Sequence, residues 1–242
     1  MKKLTTILAT LLTSTLIHAQ EFQSEATASV VIEMFTSEGC SSCVPADKWM
    51  GTLTEHPALF SSIVPMAFHV DYWDYIGWID PLAKREYSQR QRAYQTTGAI
   101  HSVYTPGFVA NGKEWRDWFF DRSAIPEQPQ ATPGVLRGTL ADETLTVTFD
   151  TTEPLQLNMA YLGMGLSNDI TAGENRNLTL HHDFVVLKHW RSRQSDLTDN
   201  TRTWVASLPE IPQASQQRTA LVIWLAERGS DAPIQATGTY ID

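Results

Sequence analysis

Cys40 and Cys43 are the only cysteines in the 242-residue sequence, and they stand three apart in the stretch TSEGCSSCVPADKW. A pair at this spacing can do three kinds of chemistry. The first is thiol–disulfide exchange. A thiol in the first turn of a helix faces free backbone N–H groups and the positive end of the helix dipole, which favour the thiolate and make Cys40 the nucleophile. Cys43, one turn deeper, is then the resolving thiol that releases a mixed disulfide. The second is metal binding, since thiolates together with histidine suit copper or zinc. There is no second cysteine pair, so further ligands would have to come from His69, His101, His181 or His182. The third is a plain staple. Closing a loop of about four residues stabilises by only ~2 kcal/mol in the chain-entropy model, against ~4–5 kcal/mol for a loop of about 100 residues. A protein with a single disulfide would be expected to place it better, and redox chemistry explains the position.

The elements that must position this pair are legible in the surrounding pattern. Val30-Val31-Ile32-Glu33-Met34-Phe35 is β-branched and apolar, the composition of a buried strand, and Cys40 to His56 reads as helical. Ile63 to Val70 predicts a second strand. Asp80-Pro81 predicts a helix start, with Asp80 as N-cap and a polar helix over residues 82–97. Tyr104 to Ala110 predicts a third strand, closed by the hairpin signal Asn111-Gly112. Residues 124–133 carry three prolines and no hydrophobic period, as a linker would. Beyond them, seven short strand candidates, at 134–140, 143–150, 155–166, 178–190, 203–208, 219–227 and 234–241, alternate with turns. That texture predicts an antiparallel β-sandwich.

Composition narrows the function classes. Hydrophobic content of 42% with 19% charged residues belongs to a folded globular chain. The first residues read as an export signal: Lys2 and Lys3, an apolar stretch from Leu4 to Ile17, and a small residue at Ala19 where a signal peptidase would cut. The stretch is too short and too rich in Thr and Ser for a membrane span, which needs about 20 mostly apolar residues. Loss of this leader would take the net charge from -9 to -11. Such an acidic chain argues against nucleic acid or an anionic membrane as partner. Export implies an oxidising compartment, most simply a bacterial periplasm, where disulfides persist. No glycine-rich phosphate loop and no serine nucleophile elbow occurs. His181 and His182 are neighbours in a strand and should face opposite sides, so they cannot both ligate one metal.

The stretches IEMFTSEGCSSCVPAD, FHVDYWDYIGWIDPLA and YTPGFVANG, with GENRNLTLHHDFVV in the second part, closely resemble a secreted bacterial family catalogued as domain of unknown function twelve-twenty-three. The part from Val30 to Gly112 resembles the thioredoxin superfamily. The resemblance implies an α/β thioredoxin-like fold in the first part, and with the pattern of the rest the expected organisation is a thioredoxin-like unit over residues 20–125, a linker at 126–133 and a mostly antiparallel β-sandwich over 134–242. It further implies that Thr105-Pro106 is a cis-proline turn opposite the cysteines, where the preceding backbone can pair with a substrate strand. Glu33 falls where related oxidoreductases hold a buried acid that exchanges protons with the resolving thiol.

The expectation is an exported thiol–disulfide oxidoreductase whose partners are thiol- or disulfide-bearing proteins or small thiols. Attack is by Cys40, resolution by Cys43, alignment by Thr105 and Pro106, and proton exchange by Glu33. No cofactor is required, because the cysteines carry the electrons. The alternatives are a periplasmic copper-binding or delivery protein and a non-catalytic interaction module. The Ser41-Ser42 dipeptide leaves the potential open. Tyr72, Trp73, Tyr75 and Trp78 form either a binding lip beside the cysteines or a packing surface for the second domain.

Overall fold

The computed structural model describes residues 19–241. The expected leader, apart from Ala19, lies outside the described residues. Fifteen strands form among those described, β1 (Gln20–Gln23), β2 (Val30–Thr36), β3 (Ile63–His69), β4 (Gly107–Ala110), β5 (Lys113–Glu114), β6 (Arg137–Ala141), β7 (Thr144–Asp150), β8 (Gln156–Met164), β9 (Leu166–Asp169), β10 (Thr179–His182), β11 (Val185–Ser192), β12 (Asp196–Thr198), β13 (Thr201–Ser207), β14 (Arg218–Ala226) and β15 (Pro233–Tyr240). The α-helices are α1 (Val44–Thr52) and α2 (Arg85–Thr96).

The largest sheet has eight strands in the order β15-β14-β8-β11-β3-β2-β4-β5. Its centre is built from chain segments far apart in sequence. β2 and β3 run parallel, with Glu33 opposite Met66, and β4 closes antiparallel on β2. On the other side of β3, β11 pairs in parallel through Val185 and Ala67, and Ala67 N donates to the Phe184 carbonyl at 2.8 Å. β8 and β14 then continue the sheet antiparallel. A second sheet, β1-β6-β7-β13-β12, covers one face of this extension, and β9 with β10 forms a separate two-stranded ribbon.

Side-chain alternation shows why one sheet can carry two cores. Every residue of β8 is buried. Leu157, Met159 and Tyr161 point to the core shared with Leu145, Val147, Phe149 and Trp204 of the second sheet. Ala160, Leu162 and Met164 point to the core that also contains Val31, Phe35, Trp49, Phe68 and Trp224. Successive residues of a strand face opposite ways, so a strand covered on both faces must be apolar throughout.

This architecture corrects the expected fold class. The fold is mainly β, not a thioredoxin-like α/β unit followed by a β-sandwich. An α/β arrangement needs helices over both faces of a mostly parallel sheet. Among the described residues the two α-helices span 9 and 12 residues, and strands from the C-terminal part extend the sheet of the N-terminal part. The proline-rich segment 126–133 is irregular and links two stretches of chain that share a core.

Several local differences have physical reasons. The strand expected over 178–190 divides into β10 and β11 at Asp183-Phe184, because Phe184 takes a left-handed φ of 60° that ends pairing. The helix expected from residue 82 begins at Arg85, while the Asp80 carboxylate caps the Leu82 N–H at 2.9 Å in a turn that precedes it. Asn111 and Gly112 adopt φ of 50° and 80°, the tight hairpin that joins β4 to β5.

Candidate functional site

Between β2 and α1 the chain passes through Ser37-Glu38-Gly39 and reaches Cys40, which has extended backbone angles (φ -98°, ψ 110°) and starts the short 3-10 turn Ser41–Cys43 that leads into α1. Cys40 and Cys43 are joined in a disulfide with their Cα atoms 5.4 Å apart. With the sulfurs bonded to each other, neither serves as a thiolate ligand for a metal. Pro45 sits in the first turn of α1, where its missing N–H removes no helical hydrogen bond.

Both cysteines are 0% exposed, so the disulfide is covered. Two segments lie against the loop. The first is the 3-10 turn Asp71–Ile76. A Cβ at Gly39 would lie only 3.1 Å from Trp73 Cβ and 3.3 Å from Ile76 Cδ1, so the absence of a side chain at Gly39 lets this turn pack close. The second is the loop between β9 and β10. Glu174 accepts from the Ser41 amide at 3.1 Å and from the Ser41 hydroxyl at 2.7 Å, which hold its carboxyl below the usual carboxylate range. Next to it, Asn175 Nδ2 donates to the Glu38 carbonyl at 2.8 Å. A carboxylate therefore occupies the free N–H position beside Cys40, the place where a helix start would otherwise steady a Cys40 thiolate.

The aromatic segment has divided roles. Trp73 Nε1 donates to Thr105 Oγ1 at 2.7 Å, and Trp78 Nε1 donates to Glu38 Oε2 at 2.8 Å. Tyr72 OH donates to Gln91 Oε1 at 3.0 Å, and burial raises its phenol well above the ordinary value. These three pack inward, whereas Tyr75 is 82% exposed.

Of the residues expected at the site, Thr105 reaches the cysteine loop through Trp73, and its bond to Pro106 is cis. Glu33 is elsewhere. Its carboxylate is held bidentately by Arg90, Nε to Oε2 at 2.6 Å and Nη2 to Oε1 at 2.8 Å, and it accepts from Tyr94 OH at 2.6 Å. Burial disfavours the guanidinium charge, but Glu33 more than restores it and Arg90 is held above its ordinary value. None of these bonds reaches a cysteine, and the strand face that carries Glu33 directs it to α2. The residue is buried as expected but sits in a structural ion pair instead of beside the resolving thiol.

Behind the cysteine loop lies a group that no single sequence motif announced. Asp47 in α1, His69 at the end of β3 and His182 at the end of β10 converge, all buried. His69 Nδ1 bonds Asp80 Oδ2 at 2.7 Å, and His182 Nε2 bonds Glu38 Oε1 at 3.2 Å. Burial opposes the Asp80 charge, but His69 and the backbone amides of Glu38 and Leu82 hold it below the usual carboxylate range. For His182, burial favours the neutral ring, while Asp47 and Glu38 outweigh it and push the imidazole up to about 10. As expected, His181 and His182 take opposite faces: His182 is buried and His181 exposed.

A family model described as protein of unknown function (DUF1223) matches residues 31–226. The structure is similar to the crystal structure of a protein from Agrobacterium tumefaciens, at 20% identity, covering 88% of this chain and 94% of that one with a TM-score of 0.61. It is also similar to HBP35 of Porphyromonas gingivalis, at 16% identity, covering 90% of this chain and 77% of that one with a TM-score of 0.55. At these identities the likeness concerns the fold. No curated protein matches the chain.

Proposed function

Because the chain belongs to the DUF1223 family, which carries no assigned activity, its chemistry has to be read from its own site, and we propose that it is an exported thiol–disulfide exchange protein acting through Cys40 and Cys43. The observation that carries this reading is the disulfide itself, which closes one turn at the start of α1 instead of bracing distant parts of the chain. A bond so placed contributes little to stability. It is suited to opening and closing.

In the reduced protein the Cys40 thiolate attacks a partner disulfide, forming a mixed disulfide and expelling one partner thiolate. Cys43 then attacks Cys40, restoring the intramolecular disulfide and releasing the second partner thiol. Two electrons and two protons pass to the partner. In the opposite direction a partner thiolate opens the Cys40–Cys43 bond. Partners are thiol- or disulfide-bearing proteins or small thiols in an oxidising compartment. Either direction requires the cover to move, since the sulfurs are buried. Thr105 contributes through its bond to Trp73, which ties the cis-proline turn to that cover.

The test is a pair of single substitutions. Cys43→Ser is expected to accumulate mixed disulfides with partner proteins or glutathione at Cys40, and Cys40→Ser to accumulate far fewer, because only the resolving thiol can release the adduct. Non-reducing gels and intact-mass spectrometry read the result. Equal trapping by both variants would show that the two sulfurs do not divide these roles.

A further inference from the structure

The buried group behind the cysteine loop has the construction of a metal site. His69 Nε2 and His182 Nδ1 are buried and have no hydrogen-bond partner among the described residues, although polar atoms in a protein interior are nearly always paired. One ring nitrogen from each histidine and one Asp47 carboxylate oxygen all lie within 4.8 Å of one another. His182 Nδ1 is 3.5 Å from Asp47 Oδ1, long for a hydrogen bond but close to the edge of a tetrahedron with arms of about 2.0–2.1 Å.

The opposite nitrogen of each ring is already fixed by a carboxyl group. Asp80 holds His69 Nδ1 and is itself held by the Glu38 and Leu82 amides at 2.9 Å each. Glu38 holds His182 Nε2 and is itself held by Trp78 Nε1 at 2.8 Å and Asn168 Nδ2 at 2.6 Å. Carboxylate, imidazole, then metal is how histidine ligands are oriented and their basicity raised. Charge points the same way. Three carboxyl groups and two imidazoles share this volume, and among the described residues no lysine or arginine forms an ion pair with any of them. Buried carboxylates need positive charge beside them, and among the described residues it can come here only from a histidine ring holding a second proton or from a bound cation.

We propose that Asp47, His69 and His182 bind one divalent first-row transition-metal ion of the zinc type. Two imidazole nitrogens select against the hard cations calcium and magnesium, which take oxygen ligands. The site is distinct from a copper site on the cysteines, and it does not rest on the redox reading: it uses neither sulfur and can form whether or not the disulfide is ever opened. The ligands come from α1, β3 and β10, so the ion fastens the β9–β10 ribbon to the helix that follows the cysteines.

The test uses the full chain, freed of metal with a chelator and titrated with zinc(II) by calorimetry, then with cobalt(II), whose visible absorption reports coordination number and donor type. One equivalent should bind, with cobalt giving the intense bands of a low-coordinate nitrogen–oxygen site. His69→Ala and His182→Ala should each weaken zinc binding by about 100-fold or more, and Asp80→Asn, which keeps the side-chain volume, by about 10–100-fold. Circular dichroism of each variant checks that it is folded, and Asp80→Asn decides the matter if the alanine variants are not. On zinc addition, nitrogen-15 NMR should show His69 Nε2 and His182 Nδ1 shifting together. Failure of the folded wild type to bind one equivalent, or binding unchanged in Asp80→Asn and the histidine variants, would overturn the proposal. So would a His182 ring that keeps protons on both nitrogens in excess zinc, since a proton is the rival occupant of that position.

Discussion

Glu33 illustrates how a single residue can be read correctly for burial and wrongly for its neighbours. An acid inside an apolar strand was bound to be buried, but its partner, Arg90, is 57 positions away on α2, and nothing within the strand announces it. Arg90 also lies over the rings of Phe68, Tyr94 and Trp224 at 5.2, 5.4 and 5.8 Å, so the pair is embedded in the core. Arg90 keeps a second carboxylate, Asp231 Oδ1 at 3.0 Å from Nη1, so losing the Glu33 charge removes charged hydrogen bonds without leaving the guanidinium bare and costs about 1.5–3 kcal/mol. Glu33→Gln is therefore expected to lower stability by roughly that amount in a urea titration, while the chemical step at the cysteines in the folded variant stays as in wild type. A stable variant with slowed exchange would instead return Glu33 to proton transfer. His69 and His182 were each visible as histidines, but their convergence with Asp47 depends on β10 folding back over α1, a long-range contact that leaves no local pattern.

Elements with strong periodicity were legible: β2, β3, β7, β8, β14 and both helices fall within a few residues of where the pattern put them. The cover over the disulfide was not. Its first part is a 3-10 turn, Asp71–Ile76, in a segment where the aromatic residues gave no helical or strand period, and its second part comes from the loop that carries Glu174. Trp73 is the residue most firmly anchored in that cover, through Thr105 on one side and Gly39 on the other. Trp73→Ala should make local opening easier, and each 1.4 kcal/mol by which opening is favoured gives about tenfold more open protein. Reduction by a small thiol, followed by alkylation, is accordingly expected to be faster by about an order of magnitude in Trp73→Ala, with the global unfolding midpoint falling less than proportionately. An unchanged rate would mean that this turn does not gate the sulfurs. At Ser41, replacing Glu174 by glutamine would remove the carboxylate that competes with a Cys40 thiolate for the helix start, in the direction of a more easily reduced disulfide.

At the scale of the molecule, the eight-stranded sheet is the feature the sequence concealed most completely. A change from helix-and-strand texture to short strands, with prolines between, reads as two domains. The junction of β3 with β11 rests on one parallel pairing, Val185 with Ala67, which no turn or motif encodes. A consequence of this sheet is that half-buried His189, on β11, lies between Trp224, stacked at 5.1 Å, and Asn158 Oδ1, 3.2 Å from Nε2. Burial, then Arg90 and Arg191, lower its imidazole to about 2. The folded protein thus keeps His189 neutral where the unfolded chain, with an ordinary value near 6.5, takes up a proton. Stability from this group is complete above about pH 6.5 and is lost as pH falls, at up to about 1.4 kcal/mol per pH unit. Urea midpoints between pH 6.5 and 5 should decline less steeply in His189→Gln than in wild type. Parallel declines would show that other groups set the acid sensitivity.

Whether the Cys40–Cys43 bond opens and closes as a reversible two-electron couple is decided by its reduction potential. The protein is equilibrated over a series of dithiol and glutathione buffers, its thiols are alkylated, and the reduced fraction is read by mass. A single reversible transition is expected from either direction, with a potential within the range of exchange proteins, about -270 to -120 mV. A bond that stays oxidised below about -300 mV, as structural disulfides do, or one whose reduction is accompanied by loss of the fold, would contradict the proposed exchange.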